Sequence, residues 1–212
     1  MRIIILGYTG LIGSNILENL ANNSSFNLVC VGRDIKNKLY RGERIEYFKW
    51  DFITFKEKNL SFLKEANIII NCVGKMNNNK SNLENINFIF IKKLLKHIKT
   101  YQSKVRLIHL SSVAVYGGAK NYLNQSKIIV ENTTTKTNNL YSKSKLKADM
   151  LIKNAVKRNL SKNFSFTILR ISNVFGEKKN SNLYRFVMFT LKLGFWIKTS
   201  NEIMYNFVHV KD

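Results

Sequence analysis

Short, largely apolar runs alternate along this chain with amphipathic stretches of helical length. The strand-like runs are "RIIIL" (2–6), "NLVCV" (27–31), "IEYFKW" (45–50), "NIIIN" (67–71), "VRLIHLS" (105–111) and "FTILR" (166–170). Between them the pattern predicts helices from about Leu11 to Asn22, around Phe55 to Leu63, from about Glu84 to Thr100, and one carrying Tyr141. Runs that stay apolar instead of alternating suit strands covered on both faces, and strands interleaved with helices build a doubly wound parallel α/β sheet. The polar 119–140 stretch reads as a surface loop in front of the Tyr141 helix. The late apolar segment from Tyr184 to Lys198 is interrupted by Arg185 and Lys192 and is too short to span a bilayer, so it reads as a packed or lid-forming helix. No internal repeat or interdomain linker is visible.

Composition narrows the partners. With 212 residues, 45% of them hydrophobic, the chain can bury a sizeable core as one large domain or a domain with a small appendage. The formal charge of +22 suits a polyanionic partner. The excess, however, is lysine mixed with asparagine from end to end, proline is absent, and no compact arginine run with interleaved aromatics stands out. That pattern is one of compositional bias, so nucleic acid is not an expected partner, while the basic surface would still draw in anionic nucleotides. Cys30 and Cys72 lie in or beside apolar runs and are too few for a disulfide framework. "MRIIIL" reaches glycine too early for a signal peptide. The expected compartment is the cytoplasm.

Two motifs carry chemistry. "GYTGLIGS" follows the first strand directly and opens the first helix, with Gly7, Gly10 and Gly13 spaced three apart. Glycine there permits the tight turn, lets a pyrophosphate approach the backbone, and packs the helix close to the sheet; the helix N-terminus supplies amide donors. In "NNLYSKSKLKAD" (138–149), Tyr141 and Lys145 are four apart and share a helix face. A phenol beside a fixed ammonium ionises more readily, so the pair could exchange a proton near neutral pH.

These motifs, with "SSVAVYG", "LRISNVFG" and the closing "FVHVKD", resemble in residue and order the extended short-chain dehydrogenase/reductases, the NAD(P)-dependent epimerase/dehydratase group. The resemblance covers essentially the whole chain. It implies a Rossmann-type cofactor domain over residues 1–171 and a partial substrate lobe with a return strand over 172–212. It further implies that Tyr141 is the general acid/base, that Lys145 binds the nicotinamide ribose and lowers the tyrosine pKa, and that Ser112 holds the same substrate oxygen. Ser111 is the neighbouring alternative; Ser112 stands five before Gly117, as in the family pattern. Asn87 matches an asparagine at the start of its helix, either near the cofactor or purely structural.

The same resemblance places the dinucleotide against Gly7, Thr9, Gly10, Leu11, Ile12 and Gly13, with Asp51 and Phe52 at the adenine and Cys72, Val73 and Gly74 beneath it. Asp51 can equally be a strand-ending aspartate. Where NAD-specific members carry an acid after strand two, this chain has Gly32 followed by Arg33, which favours NADP; Asp34 keeps NAD possible. Asn173 matches an asparagine facing the substrate, or else it holds a loop. Dehydratases of the group place an acidic pair after the catalytic serine or threonine, and here Val113 and Ala114 stand there, which leaves epimerisation or carbonyl reduction of a nucleotide-activated sugar. His97, His109 and His209 are expected to be structural, and no metal-ligand spacing is seen. The alternatives are a cofactor-binding sensor or scaffold without turnover, or a nucleic-acid-binding relative.

In the family the "FVHVKD" motif lies well inside the protein. A chain ending there is expected to bind NADP, to turn over sugar nucleotides poorly or not at all, and to self-associate as a homo-oligomer through uncovered apolar side chains such as Phe186, Phe189, Phe195 and Trp196.

Overall fold

In the computed structural model of the chain, residues 1–35, 38, 40–53, 60–76, 80–100, 104–117, 128–157, 163–176, 182–194 and 206–212 are described. The strands β1 (Arg2–Leu6), β2 (Asn27–Gly32), β3 (Ile45–Lys49), β4 (Ile68–Asn71), β5 (Val105–Ser112) and β6 (Phe164–Ile171) form one sheet in the order 3-2-1-4-5-6. Every pairing is parallel. β1 and β4 are neighbours although two strands separate them in sequence, so the sheet reverses its winding there. Ligands of doubly wound sheets bind outside the carboxyl ends of the strands at such a reversal.

The continuous apolar runs do what their pattern requires: Ile3, Ile4, Ile5 and Leu6 of β1 are all buried. Ile4 and Leu6 pack into one core with α3 (Phe90–Ile98) and α4 (Leu140–Lys157), whereas Ile3 and Ile5 pack into the other, beside α1 (Leu11–Ala21). At the end of β3, Trp50 lies edge-to-face against Phe52, Phe62 and Phe90, with centroids 5.3 to 5.9 Å apart. Such ring pairs add about 0.5–1.5 kcal/mol each beyond area burial. Phe52, an expected cofactor contact, is therefore a core side chain, and only its backbone is left to offer a ligand.

Two helices differ from the sequence pattern. Of the expected helix around 55–63, residues 54–59 lie outside the described part, and the rest is a short 3₁₀ turn, Ser61–Leu63. The helix expected from Glu84 begins earlier, as α2 (Lys80–Glu84), and reaches α3 through a π-helical turn, Asn85–Ile89. Asn87 thus sits in that turn instead of opening the helix. One extra residue per turn has no signature in hydrophobic spacing, although such turns recur at functional sites.

After β6 the chain forms β7 (Asn173–Phe175), α5 (Asn182–Leu193) and β8 (Phe207–His209). β7 and β8 pair in parallel as a separate small sheet, with the His209 and Phe175 rings 5.0 Å apart. A Cβ on Gly176 would lie 2.5 Å from Val210 Cγ1 and 3.6 Å from Leu11 Cδ1. The small sheet therefore abuts the start of α1, beside the glycine turn.

Candidate active site

The glycine turn is built by contacts that allow no side chain. Gly7 has φ +82°, a conformation natural to glycine. Its amide donates to the Val31 carbonyl at 2.8 Å, and its carbonyl accepts from Gly10 at 3.0 Å. A Cβ on Gly13 would stand 2.4 Å from that same Gly7 oxygen, so helix α1 can lie this close to β1 only with glycine there. Gly10 caps α1 with no side-chain hydrogen bond, Thr9 and Gly10 are exposed, and Leu11 and Ile12 follow half-buried. The first-turn amides of α1 thus have no side-chain oxygen from the cap, the arrangement that receives a phosphate. Across the sheet reversal, the Cβ position of Gly7 comes within 3.3 Å of the Val73 amide nitrogen, bringing Cys72 and Val73 against the turn.

Tyr8 fills the space at the end of β2. Its ring is fully buried, its hydroxyl donates to the Asp34 carbonyl at 3.2 Å, and a Cβ on Gly32 would come within 2.9 Å of its ring. No acidic side chain can therefore replace Gly32 unless Tyr8 moves. Arg33 and Asp34 are both exposed on the turn that Tyr8 anchors. Asp51 Oδ1 accepts from the Ile53 amide at 2.9 Å, which is what a strand-ending aspartate does.

Tyr141 enters the site on a well-capped helix. Asn139 Oδ1 accepts from the Ser142 amide at 2.8 Å, and the Asn139 amide donates to Ser142 Oγ at 3.2 Å. This reciprocal pair fixes where α4 begins and sets Tyr141 in its first turn. The phenol neighbours the Ser112 side chain, whose hydroxyl accepts from the Ala114 amide at 3.2 Å. Ser112 is half-buried at the strand end, while Ser111 beside it is buried against Asp149. Burial pushes the Tyr141 phenol above its ordinary value, and the neighbouring Ser112 hydroxyl offsets this only in part. The sequence expectation of a lowered tyrosine pKa does not describe this state.

Lys145 is 3% exposed, and its Nζ donates to the Leu110 carbonyl at 2.7 Å. Burial pulls its ammonium down to about 8, against the opposing pull of Asp149 and then Cys72. A Cβ on Gly74 would lie 3.4 Å from Lys145 Nζ, so the lysine comes this near the 73–75 loop because glycine is there. Asn87 holds that loop: its Oδ1 accepts from the Lys75 amide, and its Nδ2 donates to the Lys75 carbonyl and to Ser144 Oγ, each at 3.0 Å. Ser144 Oγ in turn donates to the Tyr141 carbonyl at 2.7 Å. These partners favour the structural role for Asn87.

Cys72 and His109 complete the floor. Burial pushes the Cys72 thiol up to about 12, so it is no nucleophile. Asn71 Oδ1 accepts from the Val73 amide at 3.0 Å, so its Nδ2 is the donor toward His109 Nδ1, 2.9 Å away. Burial first and Lys145 second hold His109 well below its ordinary value, and it stays neutral. Asn173 is exposed at the start of β7.

Sequence reasoning missed Asn71, Tyr8, the Asn139 cap, Ser144 and the Asp149–Arg170 pair. Asn139 carries a readable signal, a capping residue just before a helix. Asp149 carries another, an acid four residues after Lys145. Tyr8 and Asn71 carry none, because their roles depend on which strands become neighbours.

A parallel doubly wound sheet with a glycine turn at its reversal is the architecture of a dinucleotide-binding protein. The sequence matches the NAD dependent epimerase/dehydratase family over residues 3–212, and the chain belongs to that family. It is 28% identical over 229 residues to the ADP-L-glycero-D-manno-heptose-6-epimerase of Brachyspira hyodysenteriae, covering 99% of this chain and 69% of that protein. Among solved structures, the UDP-glucuronic acid 4-epimerase of Bacillus cereus, in complex with UDP-glucuronic acid and NAD, superposes with a TM-score of 0.80 at 18% identity, over 99% of this chain and 69% of that one. The dTDP-glucose 4,6-dehydratase of Bacillus anthracis, in complex with NAD, gives 0.78 at 20% identity, over 99% and 68%. Among the described residues no helix is long and apolar enough to cross a membrane.

Proposed function

We propose that this chain carries the cofactor site and the proton-transfer groups of an NAD(P)-dependent epimerase or carbonyl reductase acting on a nucleotide-activated sugar. The observation that carries the reading is the junction of β5 and α4, where Ser112 neighbours Tyr141 and the buried Lys145 lies against Gly74, beside the loop that meets the glycine turn. The cradle fits a dinucleotide, because Gly10 puts no side chain over the open start of α1, where a pyrophosphate needs bare backbone, while Gly7 and Gly13 let the helix lie close to β1.

When bound, the nicotinamide exchanges a hydride with a carbon of the substrate. The groups of this chain handle the oxygen on that carbon. Ser112 orients it and Tyr141 moves the proton at its phenol oxygen. The phenol, kept above its ordinary value, starts protonated at neutral pH and is poised as an acid toward a carbonyl. Lys145, one helical turn from Tyr141, would hold a ribose hydroxyl of the cofactor and supply positive charge beside the phenol. Val113 and Ala114 follow Ser112 without an acid, and Ala114 uses its amide to bond Ser112 Oγ at 3.2 Å. Elimination of water would lack its acid and base at that turn.

The favoured cofactor is NADP, because Tyr8 takes the volume an acid at Gly32 would need and Arg33 stands exposed next to it. Arg33→Ala should weaken NADP binding at least tenfold while changing NAD binding little, since only the 2′-phosphate contact is lost. Equal losses in parallel calorimetric titrations would exclude that role. Homo-oligomerisation belongs to the same reading. Phe189 is 58% exposed and Leu191 56%, whereas the side chain of Phe186 and the residues Phe195 and Trp196 lie outside the described part. Sedimentation velocity should show a dimer or larger species that dissociates in Phe189→Ser; a monomer at all concentrations would exclude self-association.

Mass spectrometry of small molecules co-purifying with the protein tests the whole reading. A nicotinamide dinucleotide, alone or with a nucleoside-diphosphate sugar, is the expected finding. A different ligand class held in stoichiometric amount would overturn it.

A further inference from the structure

Three consecutive residues at the end of β5 each meet a side chain of α4. The Leu110 carbonyl accepts from Lys145 Nζ, the Ser111 hydroxyl neighbours the Asp149 carboxylate, and Ser112 neighbours Tyr141. The helix residues are spaced by four, so they form one row facing one strand end. The outer two positions of the strand belong to the proposed chemistry. Asp149 does not, although it is completely buried one helical turn from Lys145.

Asp149 is held from the other side by β6. Arg170 Nε donates to Asp149 Oδ2 at 3.0 Å, and Arg170 Nη1 donates to the Tyr116 hydroxyl at 2.7 Å, with the guanidinium 4.9 Å over the Tyr116 ring. Its other oxygen, Oδ1, is buried with no hydrogen-bond partner. A buried carboxylate with one oxygen left over is costly unless a nearby charge compensates it. The Ser111 hydroxyl and the Arg170 guanidinium do most of that, and Lys145, one turn away on the same face, adds a second positive charge. The groups that bear on Lys145 are Tyr141 and Asp149 on its own helix, Cys72 after β4, His109 on β5, and Arg170 on β6 acting through Asp149. Cys72, His109 and Tyr141 are neutral at pH 7 for the reasons given above; burial raises the Asp149 carboxyl while Ser111, Arg170 and then Lys145 pull it back, and Asp149 is the one group among them that supplies a negative charge.

We propose that Asp149 is a positioning residue which, shared between Arg170 and Lys145, keeps the buried Lys145 ammonium charged at neutral pH and so maintains the cation that the cofactor ribose and Tyr141 require. The significance for catalysis rests on the function proposed above; the charge coupling itself does not. Taking the carboxylate away leaves the buried Lys145 ammonium with the half-buried Arg170 guanidinium nearby and no anion, so Lys145 should shed its proton more easily. Taking the guanidinium away removes a competing cation, so Lys145 should hold its proton more tightly.

The test is an NMR titration of the full chain labelled with ¹³C at lysine Cε, with the Lys145 resonance identified by its loss in Lys145→Met. Wild type should titrate near pH 8. Asp149→Asn should move that midpoint down by about one unit or more, Asp149→Glu should restore most of it, and Arg170→Gln should move it up. A merely structural role would leave the midpoint where it is, or move it the same way in both variants, and either result would overturn the proposal. Should Asp149→Asn fail to fold, the direction in Arg170→Gln decides alone. Because no cofactor is present, failure to bind NAD(P) would refute the proposed function and leave this result standing. If both hold, the pH at which NADPH affinity falls should follow the NMR midpoint from variant to variant.

Discussion

Lys145→Met is expected to make the protein more stable and to abolish cofactor binding. The folded chain holds the Lys145 ammonium near pKa 8, against 10.5 for the unburied group. At pH 7 that difference costs the fold roughly 3 kcal/mol. Methionine fills similar space without a charge but leaves the Leu110 carbonyl without its donor, which costs about 1 kcal/mol. The net gain of about 2 kcal/mol corresponds to a rise of about 4–8 °C in Tm for a chain of this size. The sign of the pH dependence follows from the lowered value. Between pH 8 and 10.5 the unfolded chain keeps a proton that the folded one has released, so wild-type stability rises with pH across that window. The advantage of the methionine variant should thus be full below pH 8 and shrink toward pH 10.5. Calorimetric melting at pH 7 and pH 10 checks both points; a variant less stable than wild type at pH 7 would show that Lys145 is not a strained buried charge.

Tyr141→Phe should have the second large effect. Only the phenol oxygen is removed, and the backbone there is held by the Asn139 cap on Ser142 and by Ser144 Oγ donating to the Tyr141 carbonyl, so the helix start should stay in place. Loss of the proton carrier should slow hydride transfer by about 10²- to 10⁴-fold in single-turnover measurements with NADPH and a keto-sugar nucleotide, with NADPH affinity within about twofold of wild type. An unchanged rate would assign the proton to another group.

Much of this arrangement was legible in the sequence because it follows from local rules. The apolar runs gave the strands of a doubly wound sheet, and glycines spaced three apart gave the turn at its reversal. Four-residue spacing put Tyr141 and Lys145 on one face. Ser112, chosen over Ser111 by its distance from Gly117, lies half-buried at the strand end near Tyr141, and Phe189 is exposed. What could not be read depends on contacts between distant segments. Phe52 turned inward because Trp50 and Phe90 make an aromatic cluster there. Asn87 lies in a π turn that bonds the 73–75 loop. The Tyr141 phenol is raised instead of lowered, because burial outweighs the neighbouring Ser112 hydroxyl and Lys145 points its ammonium at the Leu110 carbonyl. Spacing on a helix indicates which side chains share a face, but their charge states depend on how deeply that face is buried.

The most direct measurement is fluorescence titration of NADPH and NADH with the wild-type chain and with Lys145→Met, both at pH 7 and both confirmed folded. Saturable one-to-one binding by wild type, tighter for NADPH, and none by Lys145→Met is the expected result. Equal binding by the two proteins, or no binding by wild type, would contradict the placement of a dinucleotide between the glycine turn and Lys145.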